Sequence, residues 1–376
     1  MRIPRGAWLA ASVILASCGT SSVDLGDSAV AQTSTTASVT TTVASTTAPV
    51  STVPVSTTTT APSASSTTSS TSTSTSTSST TSTTTTIPPS GLVLDAEGVP
   101  VNGQTSGVLI TPTGWITPIL DRTDDGWTVW TPCGRAAELA DGRLIESADI
   151  VLDPGHGGSS EPGAVGHGGL READLNLEVA LRVRDRLVGA GYSVVMTRQT
   201  DVRLPIVTRG EIAQALDPIA FISIHHNAGT DEPSAEPGTE MFHQIESAES
   251  RRLAGLLYEE TFAVLDAYDV SWVSLGDAGA LSRPNRAGTD YYGVLRRPGP
   301  VTSVLAEFAY ISNASEEQLL SQVAVQEELA GAVLRAVDRL VGTDDPGSGF
   351  SVDPIFRGYG PSGAGRTDDC TDPRLQ

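Results

Sequence analysis

The sequence predicts an α/β fold: a mixed, mostly parallel sheet flanked by helices on both faces, with a small β-rich segment before it. Three observations predict it. Short apolar runs of strand type alternate with longer helical stretches between residues 148 and 342, the order that gives a largely parallel sheet covered on both sides. The run Ile150-Val151-Leu152 stops abruptly in Asp153-Pro154-Gly155, so that His156 is held at a strand tip with two more glycines behind it. All five histidines (His156, His167, His225, His226 and His243) fall between residues 156 and 243, several of them near strand ends. Reactive groups in open α/β sheets gather at the carboxyl ends of strands, so this region is a candidate metal or acid-base site.

Residues up to about 90 cannot build a core. Arg2 and Arg5 precede the apolar residues 7–16, a stretch too short to span a bilayer as a mature helix, which reads as a secretory signal. It ends Leu15-Ala16-Ser17-Cys18, which resembles the lipobox of bacterial lipoproteins. That resemblance implies cleavage before Cys18, acylation of its sulfur, and an extracytoplasmic protein held to the bacterial cell membrane by a lipid anchor. Residues 19–90 are dominated by Ser, Thr, Ala, Val and Pro, and residues 65–86 are Ser and Thr alone. With no periodic apolar face to offset the entropy of ordering, this stretch is expected to be a disordered tether with an end-to-end distance of about 50 Å.

Residues 91–146 form the small β-rich segment, with strands expected at 107–111, 115–120 and 127–131; Trp127 and Trp130 are read as packing. Residues 147–342 form the main domain. A strand at 149–152 leads through a loop to a helix at 174–189, where Leu175, Val179, Leu181, Val183 and Leu187 supply an apolar face. A strand at 193–197, a short helix at 208–215, and strands at 219–224 and 239–243 follow, then a helix at 249–265. A buried strand at 301–307 precedes one long helix at 316–341. Residues 269–290, rich in Gly, Arg and Ser, have no readable periodicity and are expected to border or gate the groove. Residues 343–376 are an irregular tail.

Composition excludes several functions. The chain of 376 residues has a formal net charge of −21 and contains no lysine, which removes Schiff-base chemistry and a phosphate-loop lysine. Its acidity argues against binding DNA or RNA, so contact with any anionic target must be local. Of three cysteines, Cys18 is assigned to lipid; in an oxidising compartment Cys133 and Cys370 are a possible disulfide between the tail and the small segment.

His156, His225 and Glu307 each lie at or just past a predicted strand end, and Glu172 sits just before a helix that starts at the same edge. Two imidazoles and one carboxylate suit a catalytic zinc site, which keeps a fourth position open for water; a further carboxylate can take that water's proton. The blocks Leu152-Asp153-Pro154-Gly155-His156-Gly157-Gly158, Arg171-Glu172-Ala173-Asp174-Leu175-Asn176-Leu177, Met196-Thr197-Arg198-Gln199-Thr200-Asp201, Ser223-Ile224-His225-His226-Asn227-Ala228 and Leu305-Ala306-Glu307-Phe308-Ala309-Tyr310-Ile311-Ser312-Asn313 resemble, in this order, the motifs of the zinc-dependent N-acetylmuramoyl-L-alanine amidases, the type 3 amidases.

The resemblance implies Zn2+ held by His156, Glu172 and His225, with Glu307 as the catalytic carboxylate. It also implies peptidoglycan as substrate, cut at the amide between N-acetylmuramic acid and L-alanine during wall remodelling or daughter-cell separation. Another zinc peptidase acting within the stem and a non-catalytic wall-binding lipoprotein are the competing readings. No activating protein is legible. Glu178 is the rival to Glu172, and His226 is read as substrate-facing or as a support behind His225. Arg198, Asp201 and Arg209 are assigned to ion pairs, and His167 and His243 are not expected to be ligands. Ala309 and Tyr310 stand where family members usually carry Gly and Phe, and His226 where a small residue is common, which bears on substrate fit.

Overall fold

The computed structural model describes residues 107–376 except 277, 352 and 359–369. The signal, Cys18, the tether and the first part of the β-rich segment lie outside the described residues.

β1 (Val108–Ile110), β2 (Ile116–Thr123), β3 (Gly126–Trp130), β4 (Ala136–Leu139) and β5 (Arg143–Ile145) form an antiparallel five-stranded sheet in the order β4-β3-β2-β1-β5. Strand alternation sends Leu109, Val129 and Leu139 into a small cluster with Leu375, and sends Val108 and Ile116 the other way into the main core. Only three of these five strands are expected from the sequence. The run Ala136-Ala137-Glu138-Leu139 carries no strand-favouring residue and is extended because it pairs with β3.

The main domain adds β6 (Ile150–Pro154), α1 (Glu172–Gly189), β7 (Val194–Met196), α2 (Ile206–Leu216), β8 (Ala220–Asn227), β9 (Pro233–Ser234), β10 (Glu240–His243), α3 (Ala248–Leu265), β11 (Trp272–Val273), β12 (Gly279–Ser282), α4 (Gly293–Arg296), β13 (Ser303–Tyr310), α5 (Ala314–Leu320), α6 (Val323–Gly342) and β14 (Ile355–Phe356). Seven strands make one sheet, β14-β12-β10-β13-β8-β6-β7. From β7 to β13 all neighbours are parallel; β10 is antiparallel to β13, and β12 and β14 run with β10. β9 and β11 pair separately.

Both faces are buried. Ile150, Leu152, Ile222, Ile224 and Val304 pack with α1, α3 and α6 on one side. Their alternate neighbours Val151, Phe221 and Leu305 pack with α2, α4 and the β1–β2 hairpin on the other. The β-rich segment is therefore part of the second covering layer.

The expected helix at 316–341 is two helices. Asn313 caps α5 by accepting from the N–H groups of Ser315 and Glu316, and the chain then extends at Gln322 (φ −81°, ψ 123°) before α6 begins. Leu319, Leu320, Val325 and Leu329 are all buried, so the apolar pattern runs unbroken across the bend and hides it. Among the described residues, no helix is long and apolar enough to cross a membrane.

The tail is tied back across the small sheet. Cys133 and Cys370 form a disulfide with Cα atoms 5.5 Å apart. Beside it the Cys133 N–H donates to Asp372, which also pairs with Arg135 at 2.8 Å. Because the bridge closes a long loop, Cys370→Ser is expected to lower unfolding free energy by about 2–4 kcal/mol. Denaturant titration of the two proteins under non-reducing conditions checks this; equal midpoints would contradict it.

Candidate metal and catalytic site

The site begins where β6 ends. His156 has φ +60°, a left-handed conformation uncommon outside glycine, and its carbonyl accepts from Arg209 Nη2 at 2.7 Å. Two glycines leave open the space beside it. A Cβ on Gly155 would lie 2.1 Å from the His225 ring, and one on Gly163 would lie 2.5 Å from Glu172 and 2.8 Å from His156. Side chains at either position would fill the volume in which the three residues meet.

They meet around Glu172, the first residue of α1. Its Oε1 lies 3.3 Å from His156 Nε2 and 3.1 Å from His225 Nδ1. One candidate ligand atom from each residue falls within 4.8 Å of the others. Burial pushes the Glu172 carboxyl up, but hydrogen bonds and charge from His156 and His225 outweigh it, holding the group well below the usual carboxylate range. Burial lowers the pKa of His225, and the nearby His156 adds to this against the pull of Glu172. A neutral imidazole is the form that binds metal. Two nitrogens and a carboxylate oxygen, with His156 still partly exposed, fit a zinc ion with one position open.

Glu172 is oriented by its neighbours. Oε2 accepts from the Ala164 N–H at 2.8 Å, while Oε1 accepts from Asn176 Nδ2 and the His226 N–H, each at 3.3 Å. Its rival Glu178 is half exposed and pairs with Arg182 at 2.7 Å, away from the histidines.

β8 and β13 run on through His225 and Glu307, so both stand inside strands, not at the strand ends expected for them. Glu307 is directly opposite His225 on one side and Glu240 on the other, so the three form one row on the face covered by α2 and α4. Glu307 is half-buried, not exposed, and its Oε2 is buried without a hydrogen-bond partner among the described residues. Burial, reinforced by the charges of Glu172 and Glu240, pushes its pKa well above the usual range. A carboxyl with that environment is suited to accepting and passing on a proton.

A cavity of about 450 Å³ is lined by His156, His225 and Glu307 together with Ile206, Tyr292 and Val294. Its apolar wall and convergent polar groups are what a binding site needs.

His226 points to the opposite face. It is 1 % exposed, bonds Asn176 Oδ1 through Nδ1 at 2.8 Å, and burial lowers its pKa to about 3. It therefore supports α1 and does not face the cavity. His243 is buried at the other end of β10, bonded to the Gln244 carbonyl. His167 is exposed and outside the cluster.

Arg209 pairs with buried Asp153 at 2.7 Å, and Asp201 pairs with Arg171 at 3.2 Å. Arg198 instead donates to the carbonyls of Pro154, Gly155, Ala173 and Thr200; burial and the neighbouring Arg209 lower its pKa to about 10. The expected ion pair is thus a carbonyl clamp, which stitches the end of β6 to the start of α1.

Sequence reasoning assigns no role to Glu317, whose carboxylate accepts from the N–H groups of Gly168 at 2.7 Å and Leu170 at 3.0 Å. It pins the loop leading into Glu172 from a position far along the chain, a separation at which no local pattern exists. Asn176 does carry a signal, since it lies in the same block as Glu172, four residues on and on the same helix face.

A model of the N-acetylmuramoyl-L-alanine amidase family matches residues 150–339. N-acetylmuramoyl-L-alanine amidase AmiC of Neisseria meningitidis is 28% identical over 221 residues, covering 52% of this chain and 53% of that protein. The chain thus spans about half the length of this relative. YqiI, an uncharacterized protein of Bacillus subtilis, is 34% identical over 209 residues, covering 55% of this chain and 89% of its own. Among solved structures, N-acetylmuramoyl-L-alanine amidase AmiC2 of Nostoc punctiforme aligns at a TM-score of 0.41 and 29% identity, over 50% of this chain and 93% of that one.

Proposed function

Because this chain belongs to the N-acetylmuramoyl-L-alanine amidase family, we propose that it hydrolyses the amide joining N-acetylmuramic acid to L-alanine in peptidoglycan, with zinc as its cofactor. The observation that carries the reading is the meeting of His156, Glu172 and His225 beside Glu307, with the cavity open over the cluster. The lactyl–alanine amide has a carbonyl to polarise and an amine to expel. Zinc held by His156, Glu172 and His225 would supply Lewis-acid polarisation of the scissile carbonyl and acidify the attacking water.

The protein's own groups do the rest. Glu307 accepts the proton of the attacking water and delivers it to the departing nitrogen of L-alanine. His225 stays neutral, and Glu172, anchored by Ala164 and Asn176, keeps its carboxylate turned toward the histidines. Leu305, Ile206 and Val294 give the cavity an apolar lining beside the reacting groups.

Purified protein incubated with a defined muropeptide should release a stem peptide with a free L-alanine amino terminus, identified by mass. Fragments cut between stem amino acids would favour a stem peptidase instead. Asn176→Ala is expected to lower zinc affinity about 10- to 100-fold, as loss of a hydrogen bond behind a ligand does. Competition with a chromogenic chelator reads this directly, and unchanged affinity would contradict the role given to Asn176.

The same reading makes the protein extracytoplasmic: residues 1–18 a lipoprotein signal, residues 19–90 a tether, residues 91–146 a β-rich segment, residues 147–342 the catalytic domain and residues 343–376 a tail. Leu15-Ala16-Ser17-Cys18 supports the lipid anchor. Cys18→Ala should move the protein from the membrane fraction to the soluble fraction, and an unaltered distribution would contradict acylation there.

A further inference from the structure

Arg283 comes directly after β12, at the border of the face that carries Glu307. Its guanidinium carbon lies 4.2 Å from the centroid of the Tyr291 ring and 6.0 Å from that of Tyr292. Nη1 reaches the Tyr292 hydroxyl at 3.5 Å, and Nε donates to the Gly358 carbonyl at 3.3 Å. Tyr292 lines the same cavity as Glu307 and His225, and its ring packs 4.7 Å from that of Phe242. One tyrosine ring therefore separates Arg283 from the reacting groups.

Other arginines around this space are already engaged: Arg209 by Asp153, Arg203 by Glu161, Arg357 by Glu240, and Arg296 by the carbonyls of Asp290 and Tyr291. Among the described residues no carboxylate pairs with Arg283, and its Nη2 makes no hydrogen bond. In a chain of net charge −21, an anionic peptide is repelled at a distance and gains nothing on approach without a local cation. A guanidinium held over the Tyr291 ring and tied at Nη1 and Nε is restrained, and its remaining N–H groups can meet a carboxylate.

We propose that Arg283, packed over the Tyr291 ring and held at the Tyr292 hydroxyl, is a subsite for a free carboxylate of the peptide stem, engaged while the scissile amide lies at Glu307. The subsite rests on the amidase reading. It makes the stem's charge, as well as its backbone, a determinant of which wall fragments are taken.

Calorimetric titration tests it with the zinc-loaded full chain carrying Glu307→Ala, so that ligand is bound and not consumed. The ligands are two muropeptides that differ only in having the stem carboxylates free or amidated. The free-acid form should bind about tenfold or more tighter, as for a charged hydrogen bond. Adding Arg283→Ala should erase that difference while leaving the amidated form's affinity unchanged, and adding Arg283→Lys should keep part of it.

Equal affinity for the two ligands before the change, no binding of either, equal loss for both after it, or a difference that survives Arg283→Ala would each overturn the proposal. Thermal midpoints of the variants separate loss of the subsite from loss of the fold. A chain with Glu307 intact is assayed alongside. If it discriminates between the ligands in binding but releases no stem, the amidase reading fails, and with it the placing of the scissile amide at Glu307, while recognition of the stem carboxylate by Arg283 is retained.

Discussion

Replacing Glu307 by alanine should abolish muropeptide hydrolysis and leave zinc bound. Turnover is expected to fall by about 10²- to 10⁴-fold, the contribution of a positioned acid-base group. The separation of the two effects comes from geometry. Glu307 stands on β13 beside His225 but is not one of the three residues whose ligand atoms converge. Its Oε2 has no partner among the described residues, so removing that oxygen costs no hydrogen bond there and frees space next to the cavity. Hydrolysis rates and zinc stoichiometry measured on the same preparation decide the matter. Full activity in the variant would take Glu307 out of the mechanism, and loss of zinc would make it a ligand.

Asp153→Ala should be the most destabilising single change near the site, by about 3–5 kcal/mol. Asp153 is fully buried at the end of β6 and accepts from Arg209 at 2.7 Å, Thr197 at 2.6 Å and Ser223 at 2.7 Å. Without it the buried Arg209 guanidinium keeps only carbonyl partners, those of Pro154, His156 and Leu204.

The effect is linked to pH with a definite sign. Burial raises the Asp153 carboxyl, but Arg209 and the two hydroxyls outweigh it and depress it below its ordinary value of 3.8. Its stabilisation is therefore complete above the unfolded value and is lost as pH falls through the lower folded one. The gap in urea midpoints between wild type and variant should be full at neutral pH and narrow progressively as the pH falls below the ordinary value of 3.8. A gap that stays constant across that range would contradict the assignment.

The candidate site is legible because its residues sit in short runs whose local chemistry is unusual. Asp153-Pro154-Gly155-His156 announces a strand end, and Ser223-Ile224-His225-His226-Asn227 alternates faces so that only one imidazole can join the cluster. The sequence ends strand β8 three residues short because polar His225, His226 and Asn227 look like a loop, whereas pairing with β6 and β13 carries the strand through them. The bend between α5 and α6 and the fourth and fifth strands of the small sheet are hidden for a related reason. Each is decided by a partner distant in sequence, while the local pattern reads through it unchanged.

The same distinction separates the site residues that local sequence reveals from those that it does not. Glu172 and Asn176 share a helix face and a motif. Glu317 braces the loop before Glu172, and Arg283 meets the Tyr292 hydroxyl, only because the chain returns there late. Charge alone points Arg198 to an acid partner, yet three carbonyls at the end of β6 and the start of α1 supply its acceptors, with that of Thr200 as a fourth. Backbone carbonyls converge only after folding and leave no mark in a sequence.

All of this chemistry depends on His156, Glu172 and His225 holding one ion between them. Titration of zinc into the metal-free full chain and into His156→Ala, Glu172→Ala and His225→Ala tests it most directly. One tight site is expected in the parent chain, and its loss in each of the three variants. Undiminished zinc affinity in any one of them would contradict the shared site.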